Sequence, residues 1–313
     1  MWFSGEFVMD RFELEQGAVL SPCRISFDMT APATGGAEEV IVLLPSASGL
    51  KTWCDPHVGA EATFDPRHYL VISVDALGGG QSSRPSEGLG PHFPECTIRD
   101  HARAVHRLLS EHLGLHTISA VGGPSMGAMI ALELALAQPK LVNRLLLYSP
   151  SARCSAMFKA LIAALSQIAR LPQGGLHAAA LAYFPLLVSH EFLERVSPAH
   201  WQAVSSKLAD KWSAEWNVDD LLNRYAAVAS HDIGPGEARA HEALRQLQTR
   251  TLLMPSTSDL LLSMESAHRM AELLPNATYI PIQSDLGHWA ASQAPESGEF
   301  SQVQAATRRF LER

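Results

Sequence analysis

The sequence predicts an α/β protein: a mainly parallel central sheet with a helical lid inserted into it. Three observations carry this. A short β-rich run, T-I-S-A-V, leads through G-G-P-S-M-G into the helix-forming stretch A-M-I-A-L-E-L-A-L-A, so a glycine-flanked serine, Ser125, sits on a strand-to-helix turn. Around it, apolar strand-like runs alternate with stretches of helical spacing, which implies crossover connections and therefore parallel strands. From Ser151 to about Leu247 the rhythm changes to Ala- and Leu-rich helical sequence, and then the sheet pattern resumes. Residues 1–150 and 249–313 are accordingly expected to form one core domain, with 151–248 as the lid.

The elements follow in order. Residues 11 to 29 alternate (F-E-L-E-Q-G-A-V-L, then C-R-I-S-F-D-M) and suggest a β-hairpin at the sheet edge. Glu39 to Pro45 (E-V-I-V-L-L-P) is a buried strand ending in the turn-forming S-A-S-G. Tyr69 to Val74 is a second, ending at Asp75 and the glycine-rich A-L-G-G-G-Q-S-S. Thr97 opens a helix with apolar residues at helical spacing. Val142 to Tyr148 is the strand after the Ser125 unit. Within the lid, Trp201, Trp212 and Trp216 read as packing residues. Beyond it come the strand T-L-L-M-P at Thr251, a helix from Met264 to Leu274, a strand from Ala277 to Ile282 and a closing helix from about Val303.

Composition excludes several functions. A chain of 313 residues with 47 % hydrophobic and 18 % charged content has enough apolar sequence for a sizeable core. A net charge of −8 with no basic run argues against nucleic acid. No segment approaches the roughly 18 unbroken apolar residues of a membrane span, and M-W-F-S-G-E-F-V-M-D-R does not resemble a secretory signal. Cys23, Cys54, Cys96 and Cys154 are scattered, as expected of reduced, buried cysteines in a cytoplasmic protein. The triple glycine Gly78–Gly80 is not a dinucleotide fingerprint, and no metal-ligand spacing is present. No cofactor or metal is therefore expected. The expected partner is a small molecule (an acyl substrate, on the serine chemistry that follows), with a second copy of the chain as a possible homodimer.

The chemistry centres on Gly123-Pro124-Ser125-Met126-Gly127. In a strand–turn–helix context, G-x-S-x-G holds the serine in a strained turn with its hydroxyl exposed, and a Cβ at either glycine would crowd the crossing. Serine is a poor nucleophile without a base, and the base needs an orienting carboxylate. Both are expected after the serine, acid first, in loops following strands. Asp259, past the strand ending at Met254, and His288, past the strand ending at Ile282, fit. Among fourteen histidines, His288 stands out by position and by the preceding Gly287. Asp285 is the rival acid, three residues before His288 and badly placed to reach it. His231-Asp232 is a rival pair that reads first as a helix-end cap or lid contact. The tetrahedral intermediate needs two backbone donors, expected from Met126 and from Ala47 in the loop after Val40–Leu44.

With those residues in view, D-A-L-G-G-G-Q-S-S-R-P-S, F-P-E-C-T-I-R-D, G-P-S-M-G-A-M, H-D-I-G, S-D-L-L-L and G-H resemble, in order, the homoserine O-acetyltransferase family of α/β-hydrolase-fold proteins. The resemblance implies acyl transfer through an acyl-serine, with Ser125, Asp259 and His288 as nucleophile, acid and base. It departs on the acceptor side. The family's H-A-L-T-G loop is P-S-A-S-G here. The lid arginine and tyrosine that hold homoserine fall near Glu215 and at Leu221, and the aspartate after the histidine is Trp289. Leu221 and Trp289 are thus the expected substrate contacts. A pocket without the three polar groups favours a hydrolase of small esters; an O-acyltransferase with a thioester donor and another alcohol acceptor is the alternative.

Overall fold

The computed structural model describes residues 2–31, 39–292 and 295–312. The chain opens with β1 (Trp2–Met9), β2 (Phe12–Glu13), β3 (Val19–Leu20) and β4 (Cys23–Thr30). The edge hairpin expected over residues 11–29 is rearranged. β4 pairs antiparallel with β1, while β2 and β3 form a separate two-stranded ribbon between them. Gly5 lies directly opposite Phe27, whose ring occupies the place a Cβ would take. An aromatic covering a cross-strand glycine helps to fix that register.

The core continues with β5 (Glu39–Leu43), β6 (Tyr69–Val74), α1 (Ile98–Arg107), β7 (Ala120–Pro124), α2 (Met126–Ala137) and β8 (Arg144–Tyr148). Thr97 caps α1: its hydroxyl accepts from the Asp100 amide, and the Asp100 carboxylate accepts from the Thr97 amide. α2 is buried along nearly its whole length, as its uniformly apolar sequence requires. Six helices then follow: α3 (Ala156–Ala169), α4 (Gly175–Leu187), α5 (His190–Arg195), α6 (Pro198–Glu215), α7 (Val218–Ser230) and α8 (Glu237–Gln246). β9 (Arg250–Met254), α9 (Met264–Leu273), β10 (Ala277–Tyr279) and α10 (Gly298–Leu311) close the chain. β10 is shorter than the expected 277–282, with Ile282 contributing a single bridge to Ser256. α10 begins at a Ser297 cap, ahead of Val303.

Among the described residues, eight strands form one sheet in the order β1-β4-β6-β5-β7-β8-β9-β10. The six from β6 to β10 run parallel, and the β1–β4 edge runs antiparallel. After β6 the chain crosses over β5 to place β7 on its other side. That reversal opens a crevice at the C-terminal ends of β5 and β7, where open α/β sheets carry their sites. All four cysteines are buried and unpaired, and burial pushes the Cys23 and Cys54 thiols up to about 12.

Burial also sets the response to acid. It pushes the imidazoles of His57 and His231 down to about 4 and that of His101 to about 3. Below the ordinary 6.5 the unfolded chain takes up these protons and the folded chain does not. Stability is therefore full above 6.5 and is lost as pH falls toward the folded values. Glu133, raised to about 7 by burial, acts in the opposite direction. The buried histidines, with His106 shifted down in the same sense by partial burial, outnumber this one carboxyl, so stability should fall between about pH 7 and about pH 5.5. Urea unfolding at the two pH values should show this decrease. His101→Leu should flatten it, since both His101 ring nitrogens are buried with no hydrogen-bond partner among the described residues.

Candidate active site

Ser125 follows β7 directly and caps α2 with φ +55° and ψ −113°. A positive φ is strained for serine and persists because its surroundings enforce it. The enforcement comes from close packing: a Cβ at Gly123 or at Gly127 would strike the Leu44 carbonyl oxygen, and one at Gly122 would strike that of Leu146. The Ser125 amide donates to the Tyr148 carbonyl at 2.9 Å, which ties the turn to β8.

The structure brings Ser125, His288 and Asp259 together. His288 Nδ1 lies 2.7 Å from Asp259 Oδ2, and Nε2 lies 2.9 Å from Ser125 Oγ. A carboxylate can only accept, so Nδ1 carries the proton and Nε2 is left to accept from the hydroxyl. Asp259 is itself fixed, its Oδ1 accepting from the Leu261 and Leu262 amides at 2.8 and 3.0 Å. The loops bearing acid and histidine are laced together: Ser258 Oγ donates to the Ser284 carbonyl at 2.7 Å and accepts from the Gly287 amide at 3.0 Å. Gly287 has φ +55°, and a Cβ there would press on the end of α4 at Leu187 and Val188. Neither Ser258 nor Ser284 is distinguishable in sequence from an ordinary turn residue.

The rivals are engaged elsewhere. Asp285 pairs with Arg195 at 2.6 Å. His231 Nε2 donates to the Ser151 carbonyl at 3.2 Å, and Asp232 pairs with Arg153 at 3.0 Å. This pair holds the start of α3's approach to the end of α7.

Met126 begins α2, and its amide is among the first-turn donors without an intrahelical partner. Ala47 is buried and lines, with Ser125 and His288, a cavity of about 630 Å³. Trp289 lies on the cavity wall, its ring meeting Phe184 edge-on at 5.6 Å. Leu221 does not: it is buried in the packed core, and Tyr225 and Val228 of the same helix face the cavity. Glu215 is exposed and pairs with Lys211 at 3.8 Å. Trp212 both packs and lines the cavity, together with Trp53 and His57, which the sequence did not single out. Trp201 joins the Phe184–Phe192 cluster. Among the described residues no group of three or more His, Cys, Asp or Glu side chains could hold a metal ion, and no helix is long and apolar enough to cross a membrane.

A family model described as alpha/beta hydrolase fold matches residues 40–295. A homoserine O-acetyltransferase of Thermus thermophilus is 31 % identical over 266 residues, covering 78 % of this chain and 69 % of that protein. An ethyl acetate hydrolase of Pseudomonas veronii is 25 % identical over 300 residues, covering 88 % and 86 %. The solved structure of an acetylester hydrolase from Corynebacterium glutamicum has the same fold, with a TM-score of 0.89 at 21 % identity over 99 % of this chain and 96 % of that one. With the serine elbow on β7 and a family match spanning most of its length, the chain belongs to the α/β-hydrolase fold family, in its homoserine O-acetyltransferase-like branch.

Proposed function

We propose that this enzyme is a serine hydrolase of small carboxylic esters, working through an acyl-Ser125 intermediate. The observation that carries this is the unbroken hydrogen-bond relay Asp259–His288–Ser125 opening into the cavity. Ser125 Oγ attacks the ester carbonyl while His288 Nε2 takes its proton, and the carbonyl π pair moves onto oxygen. The amides of Met126 and Ala47 stabilise that oxyanion. His288 returns the proton to the departing alcohol, then activates water to release the acid and free Ser125. Asp259 holds the imidazole in its productive tautomer and balances its positive charge. Residues 151–248 act as the lid, since α3, α4, α6 and α7 contribute Phe158, Tyr183, Lys207, Trp212 and Tyr225 to the cavity wall. The four buried, unpaired cysteines suit a cytoplasmic enzyme.

Water is the acceptor on this reading because the wall beside His288 is Trp289. An indole accepts no conventional hydrogen bond from an ammonium group and balances its charge only weakly. Apolar area buried against it stabilises an acyl or alcohol group by roughly 25 cal/mol per Å². The 31 % identity to homoserine O-acetyltransferases supports the second reading, acyl transfer from a thioester to an alcohol. The two are separated by measuring hydrolysis of short acyl p-nitrophenyl esters with and without L-homoserine. The expected result is turnover that homoserine does not accelerate, and a loss of activity on apolar esters in Trp289→Asp. Formation of O-acetylhomoserine from acetyl-CoA faster than release of acetate would overturn the hydrolase assignment.

A further inference from the structure

Among the described residues, Arg224 of α7 is the largest fully buried side chain, with no exposure at all. Its guanidinium leaves the lid helix and enters the loop after β5, where Nη2 donates to the Ser46 carbonyl and Nη1 to the Gly49 carbonyl, both at 2.7 Å. Its charge lies 5.2 Å over the Trp216 ring. Burial lowers it only to about 10, partly offset by the nearby Asp75 carboxylate, so it is a cation at neutral pH. A buried cation costs stability unless paired and hydrogen-bonded, and a hydrophobic staple would tether α7 with less penalty.

The geometry points to a further role: Arg224 is a positioning residue that aims the Ala47 amide at the oxyanion. This rests on the assignment of Ala47 as an oxyanion donor above. The Ser46 carbonyl and the Ala47 N–H belong to one planar, trans peptide unit and point in opposite directions. Fixing the carbonyl oxygen therefore fixes the N–H. That oxygen is held twice, by Arg224 and by the Gly49 amide at 3.1 Å. A cationic donor on the carbonyl also polarises the peptide and strengthens its N–H as a donor. The far end of the loop is held from the sheet side: the Lys51 amide donates to Asp75 Oδ1 at 2.8 Å, and Ser73 Oγ donates to the Lys51 carbonyl at 2.6 Å.

The triple glycine acquires its purpose here. A Cβ at Gly80 would collide with the Asp75 carboxylate, and one at Gly79 would come within 2.9 Å of Arg224 Nη1 and 2.8 Å of the Trp216 ring. Gly78, with φ +77°, would crowd Asn223. The loop is bare backbone because a lid arginine and a core carboxylate both press on it. Asp220 and Asn223 anchor α7 beside it, through the Ser86 amide and hydroxyl at 2.8 and 2.7 Å and the Pro94 carbonyl at 3.1 Å.

The test compares wild type with Arg224→Met, Arg224→Lys and Gly79→Ala. It measures kcat and KM on a short acyl p-nitrophenyl ester, and inhibition by a trifluoromethyl ketone. The ketone forms an Oγ–carbon bond with Ser125, its carbonyl electron pair becomes an alkoxide in the oxyanion site, and the hydroxyl proton moves to His288. Losing an oxyanion donor outright costs about 100- to 1000-fold in kcat, so a misaimed donor in Arg224→Met should cost about 30- to 100-fold. KM should change less than about threefold, and ketone affinity should fall in parallel with kcat/KM. Arg224→Lys, keeping one of the two bonds, should recover part of the loss, and Gly79→Ala should lower kcat with every charged group intact. If Arg224→Met does not fold, Arg224→Lys and Gly79→Ala carry the comparison. Folded variants with wild-type kcat and unchanged ketone affinity would overturn the inference and leave the hydrolase reading standing. Turnover that survives Ser125→Ala overturns the hydrolase reading itself, and the inference with it.

Discussion

Ser125→Ala is expected to lower kcat on a short acyl ester by about 10⁶-fold, because the members of a catalytic triad act as a unit and little remains once one is lost. The fold should persist. Alanine removes one oxygen that lies 2.9 Å from His288 Nε2, and it leaves untouched the glycine contacts that set the turn. Labelling by a fluorophosphonate probe should disappear together with turnover, while the thermal midpoint stays near that of wild type. Labelling that survived the substitution would show that another residue carries the nucleophile, and a loss of only about tenfold would be too small for one.

The second large effect belongs to the acid. Asp259→Asn should cost about 10⁴-fold in kcat: an amide in place of Oδ2 presents a donor to Nδ1, favours the wrong imidazole tautomer and no longer balances the imidazolium. Asp285→Asn is the control, three residues from the histidine in sequence but turned outward to Arg195 at 2.6 Å. An exposed ion pair contributes about 0–1 kcal/mol, so its loss should leave kcat within a fewfold of wild type. Steady-state kinetics on the two variants decides the assignment, and a reversal of the two effects would place the acid at 285.

The difference between what was legible in the sequence and what was not follows from how each element is stabilised. β5, β8 and β9 are buried on both faces and therefore read as continuous apolar runs, with boundaries correct to within two residues, whereas β7 lies three residues later than the T-I-S-A-V run because its glycines and Pro124 belong to the strand. β1 is mostly exposed along its length, so its side chains carry little pattern, and its pairing with β4 is a matter of backbone bonds and of Gly5 beneath Phe27. The relay Ser125–His288–Asp259 was legible because each residue lies in the turn or loop that follows a strand, and chain order restricts what can meet there.

The lid was legible as helix but not in its contacts. An arginine in an Ala- and Leu-rich helix reads as part of a solvated face, and nothing local marks Arg224 as wholly buried. Counting back from H-D-I-G put a substrate contact at Leu221, whereas the rotation of α7 turns Tyr225, one turn later, toward the cavity. Helix phase against the core is a tertiary quantity, set here by Asp220 on Ser86 and Asn223 on Pro94.

Acyl transfer through Ser125 is tested most directly by quenching the enzyme in acid during turnover of a slowly released acyl ester and measuring its intact mass, followed by peptide mapping. One acyl group per chain, on the peptide containing Ser125 and absent in Ser125→Ala, is the expected result. An enzyme that turns over under the same conditions with no acyl adduct, or with the adduct on another residue, would contradict it.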